Sequence, residues 1–82
     1  MTSPSDPVKR PAHYTRYKIE PVSFVMRNNL SFWKGNIVKY ICRAGHKYVP
    51  GLTPQEAEIL DLQKAQRYIE MRINQLRGET EL

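Results

Sequence analysis

The segment from Thr53 to Leu76 limits most strongly what this chain can fold into. Thr53-Pro54-Gln55-Glu56 supplies an N-cap, a proline at the first helical position and an acid three residues after the cap. Leu62, Ala65, Ile69, Ile73 and Leu76 then follow an a/d rhythm, and Gly78 marks the end. The spacing predicts one helix over Pro54–Leu76, roughly 35 Å long at 1.5 Å per residue. That is long for a chain of 82 residues. A narrow apolar seam with Glu and Arg outside it predicts pairing with another helix, in a dimer or higher oligomer.

Two shorter helices are expected before it. Ile19-Glu20-Pro21 opens the first, because a proline in the first turn removes an N–H that would be unpaired anyway. It should run to about Asn28, with Val22, Val25 and Met26 facing inward and Asn28-Asn29 as the stop. Ser31 is the expected N-cap of the second helix, Phe32 to Arg43. Trp33, Ile37, Tyr40, Ile41 and Ala44 form its buried stripe, and Gly45 ends it. No stretch alternates at period two for long enough to build a sheet, and there is no internal repeat. The expected architecture is therefore an all-α, three-helix domain over residues 13–78. A proline-rich extended arm over 1–12 precedes it and a tail over 79–82 follows.

Composition narrows the function. A single cysteine, Cys42, permits neither an intrachain disulfide nor a thiolate zinc site and fits a reducing cytoplasm. It falls inside the second helix and is read as a buried structural thiol. The opening residues hold no apolar run, so no signal peptide is expected, and nothing approaches a membrane span. The net charge of +5 is uneven: residues 1–50 carry +7 and residues 51–82 carry −2. A positive half favours an anionic partner such as a nucleotide, a phosphate or a nucleic acid.

Asn36, Lys39, Arg43 and Lys47 recur at three- and four-residue spacing, and His46 lies beside Lys47. Lys39 and Arg43 repel each other at i,i+4 unless an anion lies between them, and a phosphate would serve. The plain alternative is a solvated basic face, with Arg43, His46 and Lys47 merely suiting the helix dipole. His13 and Tyr14, in a loop beside basic residues, are placed to stack on a base. Alternatively, Tyr14 and Tyr17 cover the core edge while His13 meets a backbone carbonyl. Glu58 and Asp61, three apart, are the weak candidates for a shared hard cation; otherwise they favour the helix N-terminal turn and Asp61 pairs with Lys64. No phosphate-binding glycine loop and no paired-histidine metal spacing is present.

Pro11-Ala12-His13-Tyr14, Ile19-Glu20, the run Gly35-Asn36-Ile37-Val38-Lys39-Tyr40-Ile41-Cys42-Arg43-Ala44-Gly45-His46-Lys47 and the run Asp61-Leu62-Gln63-Lys64-Ala65-Gln66-Arg67-Tyr68-Ile69-Glu70 resemble a family of small tailed-phage proteins, the SaV-like family. By similarity, Asn36, Lys39, Tyr40, Arg43, Lys47, Asp61, Lys64 and Tyr68 match its recurring pattern; the acidic residue that often precedes the matching Asp is Leu60 here. One larger member is described as a nucleotide kinase without the usual phosphate loop. The resemblance implies a nucleotide-binding protein in the host cytoplasm. It would sequester a nucleotide or a nucleotide-derived signal as a counter-measure to host defence. The alternatives are a nucleoside monophosphate kinase, which would use magnesium, a nucleic-acid-binding module and a protein-partner inhibitor.

Overall fold

The computed structural model describes residues 16–80; the arm over 1–12, His13 and Tyr14 lie outside the described residues, as do 81–82. Within them the chain is all-α. Helix α1 spans Pro21–Arg27, α2 spans Phe32–Arg43 and α3 spans Pro54–Leu76, and no strand occurs among the described residues. No helix among them is long and apolar enough to cross a membrane.

The helix ends show why the boundaries fall where they do. At the start of α3 the capping box is complete: Thr53 Oγ1 accepts from the Glu56 N–H at 3.1 Å, and the Thr53 N–H donates to Glu56 Oε1 at 2.8 Å. At the end of α1, Asn29 takes φ 50°, so that its N–H reaches the Met26 carbonyl and the Leu30 N–H reaches that of Val25. This paired closure needs a left-handed residue, and Asn supplies one more readily than other side chains. Helix α2 ends differently. Ala44 at φ −55°, ψ 129° and Gly45 at φ 84° form a type II turn, closed by His46 N–H to the Arg43 carbonyl. Ser31 occupies the N-cap position of α2 in extended backbone, but its side chain makes no cap hydrogen bond, contrary to the expected role.

Helix α2 lies in the middle. It packs along α3 on one side and beneath α1 on the other, while α1 and α3 share almost no contact. Three helices side by side make a layer rather than a bundle. A layer has no common interior, and the only buried apolar residues among those described are Ala57 and Ala65.

This explains three corrections to the expected core. Met26 is 72% exposed and Val22 half exposed, because the short, seven-residue α1 meets only α2, with Val25 against Gly35. Ile41 is also half exposed. It sits about 100° around the helix from Tyr40, and only one of the two can face α3. On α3, the residues facing α2 are Ala57, Asp61 and Ala65, at i, i+4 and i+8. Of the expected seam, only Ala65 is buried; Leu62, Ile69, Ile73 and Leu76 remain exposed. Small side chains let the two helices approach, so the α3 face with the smaller residues packs inward.

Gly35 sets the approach of α1. A Cβ at this position would lie 2.9 Å from Val25 Cγ1. Valine is stiff at χ1 in a helix and cannot simply swing away. Gly35→Ala is therefore expected to lower unfolding free energy by about 1 kcal/mol, overpacking outweighing the better propensity of alanine. In urea titrations, the double variant with Val25→Ala should lose less than the sum of the two single changes. The capping box sets a second expectation. Hydrogen bonds from the Thr53 backbone and side chain hold the Glu56 carboxyl below its ordinary 4.5. The folded state thus favours its ionised form, and this contribution is present above 4.5 and lost as pH falls through the folded value. The acid limb of a stability–pH profile should be shallower in Glu56→Gln.

Candidate functional site

The site begins with one aromatic ring. Tyr40, in the middle of α2, is stacked on Tyr68 of α3, with centroids 6.0 Å apart and planes 17° from parallel. Phe32 meets Tyr68 edge-on at 6.0 Å. Around the Tyr40 ring stand three cations: Arg43 Cζ at 4.9 Å, Lys39 Nζ at 5.2 Å and Lys64 Nζ at 5.4 Å from its centroid. The negative π face attracts each of them at this range. Their mutual repulsion acts the other way, and a single carboxylate, Asp61, approaches the group.

Asp61 is spoken for. It is only 1% exposed, and both of its oxygens accept from Arg43: Oδ1 from Nη2 at 2.7 Å, and Oδ1 and Oδ2 from Nε at 3.2 Å each. Hydrogen bonding to Asp61 raises the Arg43 pKa, with desolvation opposing it, so the guanidinium stays charged at every working pH. The sequence reading had paired Asp61 with Lys64; here Asp61 takes Arg43 from the facing helix, and Lys64 lies over Tyr40. Lys39 and Lys64 therefore have no carboxylate partner among the described residues.

Beside this group a cleft of about 400 Å³ opens between α1, α2 and the segment before α1. Arg16, Lys39 and Arg43 supply its charge, Val22, Val25 and Pro21 an apolar wall, and Tyr17 and Cys42 the remainder. Tyr17 is fixed there: its hydroxyl donates to the Cys42 carbonyl at 2.6 Å, satisfying one of the orphan acceptors at the end of α2. Cys42 is partly exposed rather than buried as expected, since it lies on the side of α2 that faces the cleft.

The expected site residues divide accordingly. Lys39, Tyr40 and Arg43 come together. His46 lies edge-on to Tyr17 at 6.4 Å, one residue removed from the cleft wall. His46 also lines, with Lys47, Tyr48, Leu52 and Thr53, a separate hollow of about 290 Å³, and Lys47 does not reach the cleft. Asn36 donates its amide to the Phe32 carbonyl in its own helix, at 2.8 Å. Arg16 was missed by the sequence reading, having no periodic neighbour to mark it. Spacing could not have found Lys64 either, because it joins the group from another helix.

A magnesium site does not fit these residues. Asp61 is buried and bonded to Arg43, Glu58 lies against Gly45, and no three potential metal ligands come together among the described residues. At the far end of α2, Trp33 packs between Lys34 at 5.5 Å and Arg72 at 5.4 Å, remote from the residues that line the cleft.

Breaking a buried ion pair strands the remaining charge, at a cost of about 3–5 kcal/mol. Arg43→Ala, which strands the buried Asp61 carboxylate, should lose stability on that scale in denaturant unfolding, and Asp61→Ala, which leaves a guanidinium already 29% exposed, should lose less. A joint apolar replacement, Arg43→Met with Asp61→Leu, should lose clearly less than either single change.

A family model described as proteins of unknown function, DUF3310, matches residues 8–70. No curated protein and no solved structure matches the chain. The match covers most of the chain, which belongs to this family.

Proposed function

We propose that this member of the DUF3310 family binds a nucleotide or a nucleotide-derived anion in the cleft between α1 and α2. The observation that carries the reading is the uncompensated charge there. Among the described residues, Lys39 and Arg16 face the cleft without a carboxylate on its wall, and Lys64 adds a third cation without a carboxylate partner, beside Tyr40. Cations gathered without a counter-charge repel one another until an anion joins them. Phosphate is an anion that the arginine fork and the lysine point charge both bind well.

The second half of the cleft suits the rest of a nucleotide. Its volume of about 400 Å³ is within the range of small-molecule sites, and Val22, Val25 and Tyr17 offer an apolar and aromatic surface to a sugar or base. A long nucleic acid calls instead for a track of phosphate contacts. The SaV-like pattern in the sequence supports the same reading. It extends the proposal to a phage protein that sequesters a host nucleotide or a nucleotide-derived signal. A kinase needs a carboxylate-held metal, and among the described residues Asp61 is bonded to Arg43 and no acids gather to hold one, so binding without turnover is the reading we favour.

Calorimetric titration with nucleoside mono- and triphosphates and cyclic dinucleotides, with and without magnesium, tests the proposal. Binding should survive the removal of magnesium and leave the ligand chemically intact. Lys39→Ala should weaken affinity about tenfold, the worth of a charged hydrogen bond, with little change in melting temperature. Lysine 39 is the sound probe because Arg43 also holds the fold together. A slope of log affinity against log salt as steep as that of a many-phosphate contact would point to nucleic acid instead.

A further inference from the structure

On an α-helix, residues two apart lie about 160° around the axis from each other. Leu62 is two residues before Lys64, and Ile41 lies midway between Lys39 and Arg43. The cations gather at Tyr40, so Leu62 and Ile41 point away from them, to the opposite face of the layer. That face is apolar. Ile59, Leu62, Ile69, Ile73 and Leu76 are all exposed there, from 43% for Leu62 to 69% for Leu76.

Their register differs from the one the bare rhythm suggested. With Ala65 turned toward α2, the exposed line runs Ile59, Leu62, Gln66, Ile69, Ile73, Leu76, with spacings of three and four in strict alternation. It is a heptad seam with Ile59, Gln66 and Ile73 at a and Leu62, Ile69 and Leu76 at d. β-Branched residues at a with leucine at most d positions favour two parallel strands. A single polar residue at a is the device that fixes register and orientation, at some loss of stability.

We propose that a second copy of this chain covers the seam, its α3 parallel to the first about a two-fold axis, with the two Gln66 side chains facing each other. Three observations select this occupant. In the parallel arrangement each Gln66 amide finds the same amide opposite and both can donate and accept; in the antiparallel one it meets Ile69 and is left unsatisfied. The residues that flank the seam leave room for a partner: Arg72 is drawn over Trp33 and bonded to Gln75, and Glu70 pairs with Arg67 at 3.6 Å. Last, among the described residues one copy buries only two alanines as apolar side chains, so the layer needs a second one against it. Residues 1–12 hold, besides their prolines, only Met1, Val8 and Ala12 as apolar side chains, fewer than the five of the seam. The seam runs roughly 26 Å from Ile59 to Leu76.

The test uses the full chain. Sedimentation equilibrium should give a dimer, and Ile69→Glu should give a monomer. Because that change also removes apolar cover from a small domain, a second measurement stands beside it. In a Cys42→Ser background, Gln66→Cys should oxidise to a covalent dimer, whereas Arg67→Cys, on the outer side of α3, should not. A wild-type monomer overturns the proposal. So does a dimer that fails to cross-link at position 66, or one that cross-links equally at 66 and 67.

Discussion

The contact between Arg43 and Asp61 is the interaction on which the other features depend. It spans α2 and α3 where their backbones are drawn together by Ala57 and Ala65, and it brings a full charge to 1% exposure. A carboxylate so deeply placed is tolerable only with its partner in position. The pair therefore fixes how far α2 slides along α3, and with that the meeting of Tyr40, about one turn from Arg43, and Tyr68, about two turns from Asp61. Electrostatics and packing act in the same place here. The guanidinium that neutralises Asp61 also lies over Tyr40 at 4.9 Å and forms part of the cleft wall. One side chain thus belongs to both the frame and the site.

The layer arrangement separates the two faces of the molecule. With α2 flanked on both sides, its remaining flanks point to opposite faces of the layer, one bearing Lys39 and Arg43 and the other Ile41. Residues of α3 sort the same way. Charge and apolar surface are thus kept about half a turn apart, which lets one face meet an anion while the other meets a protein. A bundle of the same three helices would have enclosed the apolar side chains and left a more uniform surface.

Much of this was legible in the sequence, and the parts that were not have definite reasons. The limits of α3 follow from local chemistry, Thr53, Pro54 and Glu56 at one end and Gly78 at the other, and the structure reproduces them. Asn29 and Gly45 were readable for the same reason, since a left-handed residue is a local demand. Orientation was not. An apolar period identifies a stripe but not which of two adjacent stripes packs inward, and Ala65 and Gln66 exchanged roles on that account. The grouping of Lys39 with Arg43 came from spacing within one helix. Lys64 and Arg16 arrive from elsewhere in the chain, and no one-dimensional pattern contains them. The role of Asp61 as the partner of Arg43 is likewise a property of two helices together.

The single tryptophan has a consequence for anyone watching this molecule in solution. Trp33 is clasped between Lys34 and Arg72 at the end of the α2–α3 hairpin farthest from Arg43. Its indole emission will respond to the parting of those two helices, when Arg72 leaves the ring and water replaces it. It has no direct view of the cleft. Intrinsic fluorescence in this protein is therefore a gauge of folding and not of occupancy. A quiet tryptophan signal on adding a ligand says nothing against its having bound.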